Sequence, residues 1–220
     1  MSLSQKIIDT IERRRDKQRR NQPGAVGDFW REGGNQLLYE LPVTTGGLII
    51  DAGGYQGEWS AGMVSRYGCK SLLFEPVPEF FNHCQNFFKN NALVQVRKAA
   101  LGGSNRRTRF NLLDNGTSEY RGDGNAQYID VEVFDVAQLF TELAGVRVEC
   151  FKLNIEGGEY EVLERLIETN NIVQCDSFLI QFHRQPANYE SRYKNIVNEL
   201  QKTHTINWCY EMVWEKWERK

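Results

Sequence analysis

Residues 151 to 163 read FKLNIEGGEYEVL and place Asn154, Glu156 and Glu159 around the adjacent glycines Gly157 and Gly158. Carboxylates so spaced suit two kinds of chemistry. They stabilise the positive end of a helix dipole, and one held at a strand end can accept a proton from an attacking nucleophile. His183, in LIQFHR, follows another apolar run in the same way. Glu156 and His183 are therefore the expected proton acceptors. Glu159, one turn into the helix, suits a dipole-stabilising or substrate-hydroxyl role. His83, inside an aromatic helix, and His204, near a terminal hairpin, read as structural. A metal site would need Glu156, Glu159 and His183 to converge, but Asn154 is a weak neutral ligand, so no metal is expected.

A second constellation lies earlier. In LIIDAGGYQGEW the glycines Gly53, Gly54 and Gly57 separate an apolar run from a helix-like one, so backbone can pass close to a ligand at a helix N-terminus. Glu75 closes the next apolar run, where a carboxylate can accept hydrogen bonds from both ribose hydroxyls. The pair predicts an adenosine-containing ligand. The dinucleotide fingerprint G-x-G-x-x-G is incomplete because Ala52 takes its first position, and no G-K-[ST] follows for a P-loop.

These residues need elements to hold them. Apolar runs at Leu48 to Ile50, Ser71 to Phe74, Val94 to Arg97, Val148 to Leu153 and Ser177 to Phe182 read as strands, with helical patterns between them. Such alternation calls for right-handed crossovers and a doubly wound, mainly parallel sheet that binds ligands at its carboxyl edge. Asp51, Glu75, Asn154 and His183 each follow an apolar run directly, which puts them on that edge. Gly102 to Val133 changes to turn residues with the alternating stretches TRFNLL and YIDVEV, the pattern of an antiparallel excursion. Asp135 is placed to cap a short helix through Leu143. The final segment, with Ile206, Trp208, Val213, Trp214 and Trp217, reads as a terminal antiparallel hairpin. In the helix opened by Pro78, the residues Phe80, Phe81, Cys84, Phe87 and Phe88 repeat at helical spacing and are expected in the core. Residues 4–20 read as a charged helix, and NQPGAVGD reads as a linker.

Composition narrows the setting. With 27 basic and 29 acidic residues in 220, the net charge is -2, so no global field recruits nucleic acid or an anionic membrane, and neither is expected as a partner. Five dispersed cysteines without a C-x-x-C pair suggest a reduced, cytoplasmic compartment. No apolar run approaches the roughly 20 residues that a membrane span needs. Oligomeric state is not encoded in any of these patterns.

Taken in order, LIIDAGGYQGEWS, LLFEPVPEFF, VRKAALGG and FKLNIEGGEYEVL resemble the FkbM-type methyltransferases over about residues 36 to 185. D-x-G-x-x-x-G with its strand-terminal Asp51 likewise resembles the first motif of class I methyltransferases. The resemblance implies a Rossmann-like fold, S-adenosyl-L-methionine as cofactor, and methyl transfer to a hydroxyl of a sugar, glycan or other small natural-product acceptor. It places Asp51, Gly53 and Gly57 at the cofactor turn, with Asp51 tied to the positive methionine end. Glu75 falls on the ribose, and Ala100 and Leu101 near the adenine. Gly54, Tyr55 and Pro76 fall within the same motifs and are counted with the cofactor residues. Thr117 and Ser118 correspond to a hydroxyl-rich motif bordering the cofactor, while Asn154, Glu156 and Glu159 stand beside the reacting methyl. Many relatives carry aspartate at the position of Asn154, which leaves a non-catalytic binding module as an alternative. An NAD-dependent oxidoreductase is disfavoured by Ala52 and Asp51, and a nucleic-acid N-methyltransferase by the lack of [DNS]-P-P-[YFW]. The expected organisation is a helical extension and linker over residues 1–35 and one cofactor-binding domain over residues 36–220.

Overall fold

The computed structural model describes residue 14 and residues 16–112 and 127–220. Ten strands follow in chain order: β1 (Leu48–Ala52), β2 (Lys70–Phe74), β3 (Val94–Arg97), β4 (Ala100–Gly102), β5 (Arg106–Leu112), β6 (Gln127–Asp135), β7 (Val148–Leu153), β8 (Ser177–Ile180), β9 (His204–Tyr210) and β10 (Trp214–Arg219). Seven of them form one sheet in the order β3-β2-β1-β7-β8-β10-β9. The first five of that order run parallel, as the β-helix alternation requires, and β10 enters antiparallel beside β8. Strand order reverses between β1 and β7. In an open α/β sheet that reversal opens a crevice at the carboxyl edge, and both expected constellations flank it.

The inner strands of the parallel core, β1, β7 and β8, are mostly buried because helices cover both faces of the sheet, whereas the edge strand β3 reads VQVR and has no buried residue. Ile50, Phe151 and Phe178 pack on one side with the Glu159–Glu168 helix, whose Tyr160, Leu163 and Leu166 recur at helical spacing and are fully buried. Burying each such side chain stabilises the fold by about 1.5–3 kcal/mol. On the other side, Ile49, Cys150 and Leu179 pack with Trp59, Met63 and Trp214. Among the described residues of the Gly102 to Val133 excursion, β5 pairs antiparallel with β6, and with β4 they form a three-stranded sheet in the order β4-β6-β5. Asp135 caps the Val136–Glu142 helix by accepting a hydrogen bond from the Ala137 N–H at 2.8 Å.

Two expectations are corrected. The stretch read as a linker forms the helix Gly24–Arg31, entered through Pro23. Tertiary packing overrides the weak local propensity there: Phe29 is fully buried, with its ring 5.1 Å from that of Tyr210 and 6.0 Å from that of Trp208. The aromatic stripe of the Pro78–Phe87 helix is only partly core. Cys84 and Phe88 are buried, but Phe87 is 57% exposed, because five apolar residues span a wider arc than the sheet can cover. Of the charged helix expected over residues 4–20, residues 16–20 are helical, while residues 1–13 and 15 lie outside the described residues. Among the described residues, no helix is long and apolar enough to cross a membrane.

Candidate active site

β1 ends where the backbone turns sharply. Gly53 takes φ 81° and its N–H, like that of Gly54, donates to the Phe74 carbonyl at 3.1 Å. A Cβ at Gly53 would overlap the carbonyl oxygen of Asn154, so the glycine turn is pressed directly against the end of β7. Gly57, at φ 80°, is the residue from which the Glu58–Tyr67 helix starts, and that helix points its N–H groups toward the turn. The glycine turn expected from LIIDAGGYQGEW, after a strand and before a helix, is present.

Asp51 has a partner that sequence reasoning did not single out. The register sets Asp51 opposite Lys152 on β7, and the Lys152 Nζ donates to Asp51 Oδ1 at 2.7 Å and to the Gly53 carbonyl at 2.9 Å. The second carboxylate oxygen of Asp51 accepts from Ser60 Oγ at 2.6 Å. Asp51 is fully buried, and both of its carboxylate oxygens are engaged by protein groups. The available signal was a lysine inside the apolar strand VECFKL, since a buried ammonium requires a partner.

Glu75 closes β2 as expected. Its carboxylate accepts from the Tyr55 N–H at 2.7 Å and the Val77 N–H at 2.9 Å, which joins it to the glycine turn. Burial pushes its pKa up to about 7 against the opposing pull of those two N–H groups and of Lys152. Tyr55 is exposed, with its ring 4.4 Å from that of Phe80. Pro76 lines a cavity of about 590 Å³ together with Lys98, Arg107, Arg109, Asp130 and Glu132. Ala100 and Leu101 are buried in β4, paired with Val133 and Phe134. Thr117 and Ser118 lie outside the described residues.

The second constellation converges at the ends of β7 and β8, which are neighbours. Glu156 adopts φ 53° and Gly157 φ 108°, a left-handed turn that a non-glycine residue adopts only at a cost. That turn aims Glu156 at His183, whose Nε2 lies 3.5 Å from Glu156 Oε1. The other ring nitrogen, Nδ1, lies 3.0 Å from Glu159 Oε1. Glu159 is fully buried, and it also accepts from the Ile155 N–H at 2.7 Å and the Gly157 N–H at 2.9 Å. Burial by itself lowers the His183 pKa, but hydrogen bonding and charge from Glu156 and Glu159 outweigh it and carry the value up to about 9. At neutral pH the imidazole is therefore protonated, and the histidine acts as a donor between two carboxylates. The N–H of Asn154, half-buried, donates to the Ala52 carbonyl at 3.2 Å, beside the glycine turn.

The remaining histidines sit apart from this cluster. His83 is exposed, stacked at 6.0 Å on Phe87, and His204 is buried with its Nε2 3.1 Å from the Cys175 carbonyl oxygen. Among the described residues, no group of three or more His, Cys, Asp or Glu side chains is arranged to hold a metal ion.

A parallel sheet that reverses between β1 and β7, closes with an antiparallel hairpin and carries a glycine turn beside a strand-end acid defines a class I, Rossmann-like methyltransferase. Residues 51–205 match the model of the Methyltransferase FkbM domain. The chain belongs to the FkbM methyltransferase family and is an enzyme that takes its methyl group from S-adenosyl-L-methionine. A comparison with curated proteins finds no match. Among solved structures, the fold is similar to that described as an rRNA methylase from Clostridium thermocellum, with 9% identity, a TM-score of 0.53, and coverage of 90% of this chain and 97% of that one. It is also similar to a dimethyladenosine transferase from Plasmodium falciparum, with 9% identity, a TM-score of 0.51, and coverage of 84% and 60%. The expectation that nucleic acid is excluded as a partner is corrected by these neighbours. Net charge sums over the whole surface, whereas phosphate contacts are local, so a value of -2 excludes nothing of this kind.

Proposed function

We propose that the enzyme methylates a hydroxyl oxygen of a sugar, glycan or natural-product acceptor, with Glu156 as the proton acceptor. The observation that carries this reading is the His183 bridge, which holds the Glu156 carboxylate two residues beyond Asn154, whose carbonyl abuts the glycine turn. A hydroxyl is a weak nucleophile while protonated, so a positioned carboxylate that takes its proton as the new bond forms accelerates attack. Holding the acceptor oxygen in line contributes further.

The residues present fit the cofactor. Gly53 and Gly57 open the backbone at a helix N-terminus, and Glu75 reaches that same turn through Tyr55. When bound, S-adenosyl-L-methionine supplies an electrophilic methyl carbon. In this reading Glu75 takes the ribose hydroxyls, and Gly53, Gly54, Tyr55, Gly57 and Pro76 line the cofactor. Ala100 and Leu101 support the adenine side, and Asn154 lies beside the transferred methyl.

The other members of the cluster have supporting parts. His183 orients Glu156, and the buried Glu159 fixes the ring of His183. Tyr160 anchors the strand end by donating its hydroxyl to the His183 carbonyl at 2.6 Å. Glu159 thus serves as a positioning residue rather than a substrate contact. Residues 36–220 form the catalytic domain in this reading and residues 1–35 its extension, in which Phe29 is buried.

The test is methyl transfer from labelled S-adenosyl-L-methionine to a panel of saccharides, hydroxylated natural products and RNA oligonucleotides. RNA enters because the rRNA methylase and the dimethyladenosine transferase share the fold. Label on a saccharide or natural-product hydroxyl supports the reading. Label confined to RNA base nitrogens overturns it.

A further inference from the structure

We propose that Lys152 is a positioning residue for the cofactor turn: its buried ammonium joins Asp51 to the Gly53 carbonyl and holds the glycine loop in its ligand-accepting shape. This rests on the reading of Asp51 to Gly57 as the cofactor turn.

The geometry is specific. Lys152 and Asp51 are register partners on adjacent strands, and their side chains are 7% and 0% exposed. Nζ spans from Asp51 Oδ1 at 2.7 Å to the Gly53 carbonyl at 2.9 Å. It also sits 5.6 Å from the centre of the Trp59 ring. Asp51 is braced in turn by Ser60, whose Oγ lies 2.9 Å from Ser71 Oγ on β2. One ammonium thus ties β1, β7 and the first residue of the turn together. A buried ion pair contributes little to stability compared with apolar residues of the same size, so its presence here points to placement of the loop.

The ammonium also reaches Glu75. Burial raises the Glu75 pKa, the Lys152 charge lowers it, and Asp51 raises it. Lys152 on β7 and Asp51 on β1 are the charged groups acting there. The Cys84 thiol on the Pro78–Phe87 helix, pushed up to about 12 by burial, stays neutral. Removing Lys152 leaves Asp51 unopposed and moves Glu75 ionisation to higher pH.

The experiment is calorimetric titration of the full chain with S-adenosylhomocysteine from pH 6 to 9, paired with thermal unfolding. The proteins are wild type, Lys152→Met, Lys152→Arg and Asp51→Asn/Lys152→Met. Lys152→Met is expected to weaken binding roughly tenfold or more at pH 8 and to shift the acidic limb of binding to higher pH, with Lys152→Arg less affected. The double variant carries no unpaired buried charge, so it recovers thermal stability. Its binding stays weak, because the Gly53 carbonyl remains untethered. That outcome separates positioning from a purely structural role, even where Lys152→Met does not fold. Binding by the double variant within about twofold of wild type would overturn the proposal. No binding by wild type at millimolar ligand would overturn the reading of the turn itself, and this inference with it.

Discussion

His183 Nε2 stands 3.5 Å from Glu156 Oε1, a contact made possible because Glu156 takes a left-handed backbone conformation at the end of β7. Glu159 grips the opposite ring nitrogen at 3.0 Å. The histidine is thereby fixed between two acids. The division of labour follows from this. Glu156 is the less buried of the two acids, and in the proposed reading it is the one that takes the acceptor's proton.

The raised His183 pKa has a signature in stability. The folded value of about 9 lies above the ordinary 6.5, so the stabilisation is fully present below about pH 6.5 and is lost as pH rises toward 9. Its size is on the order of 1–3 kcal/mol. Urea unfolding of wild type should weaken across that window, and His183→Gln should flatten the dependence. An equal slope in both proteins would show that the bridge does not hold in solution.

Glu75 predicts a pH dependence in cofactor affinity. With its pKa at about 7, the carboxylate proposed to accept ribose hydroxyls is increasingly neutral below that pH. The dissociation constant for S-adenosylhomocysteine should rise by up to roughly tenfold per pH unit below 7 and level off above 8. The same raised value means that the stability Glu75 contributes to the ligand-free protein is present below its ordinary 4.5 and declines toward 7. Glu75→Gln should bind weakly at all pH values, with the acidic limb gone.

Gly53 offers a steric test. Its φ of 81° and the Asn154 carbonyl beside it leave no room for a side chain. Gly53→Ala should cost about 1–3 kcal/mol of stability and remove measurable binding of S-adenosylhomocysteine. Gly24→Ala also falls at positive φ, but its Cβ meets nothing within 4 Å. It should cost stability by the backbone term alone and leave binding intact.

The parallel core was legible because each strand is a short apolar run closed by a polar residue. Periodicity located β1, β2, β3, β7 and β8 to within two residues, and the closing residues Asp51, Glu75 and Asn154 fell at the carboxyl edge. What one strand's pattern does not contain is its neighbour's register. The Asp51–Lys152 pair depends on β1 lying beside β7 with those two residues opposite, so the lysine partner of Asp51 was not legible. The His183 charge state was hidden for a similar reason. Two acids from one turn had to be seen meeting one histidine from the next strand. NQPGAVGD failed in the opposite way: its composition favours a loop, and only the burial of Phe29 against the β9 face explains the helix.

The most direct test of the account is the single-turnover rate of methyl transfer by Glu156→Gln, measured at saturating S-adenosyl-L-methionine on whichever acceptor wild type methylates in the panel. Removing the base should lower the rate by about 10²–10⁴-fold. The affinity for S-adenosylhomocysteine should stay within about threefold of wild type, since Glu156 lies outside the ribose and turn contacts. A Glu156→Gln enzyme that turns over at the wild-type rate would contradict the assignment of Glu156 as the proton acceptor.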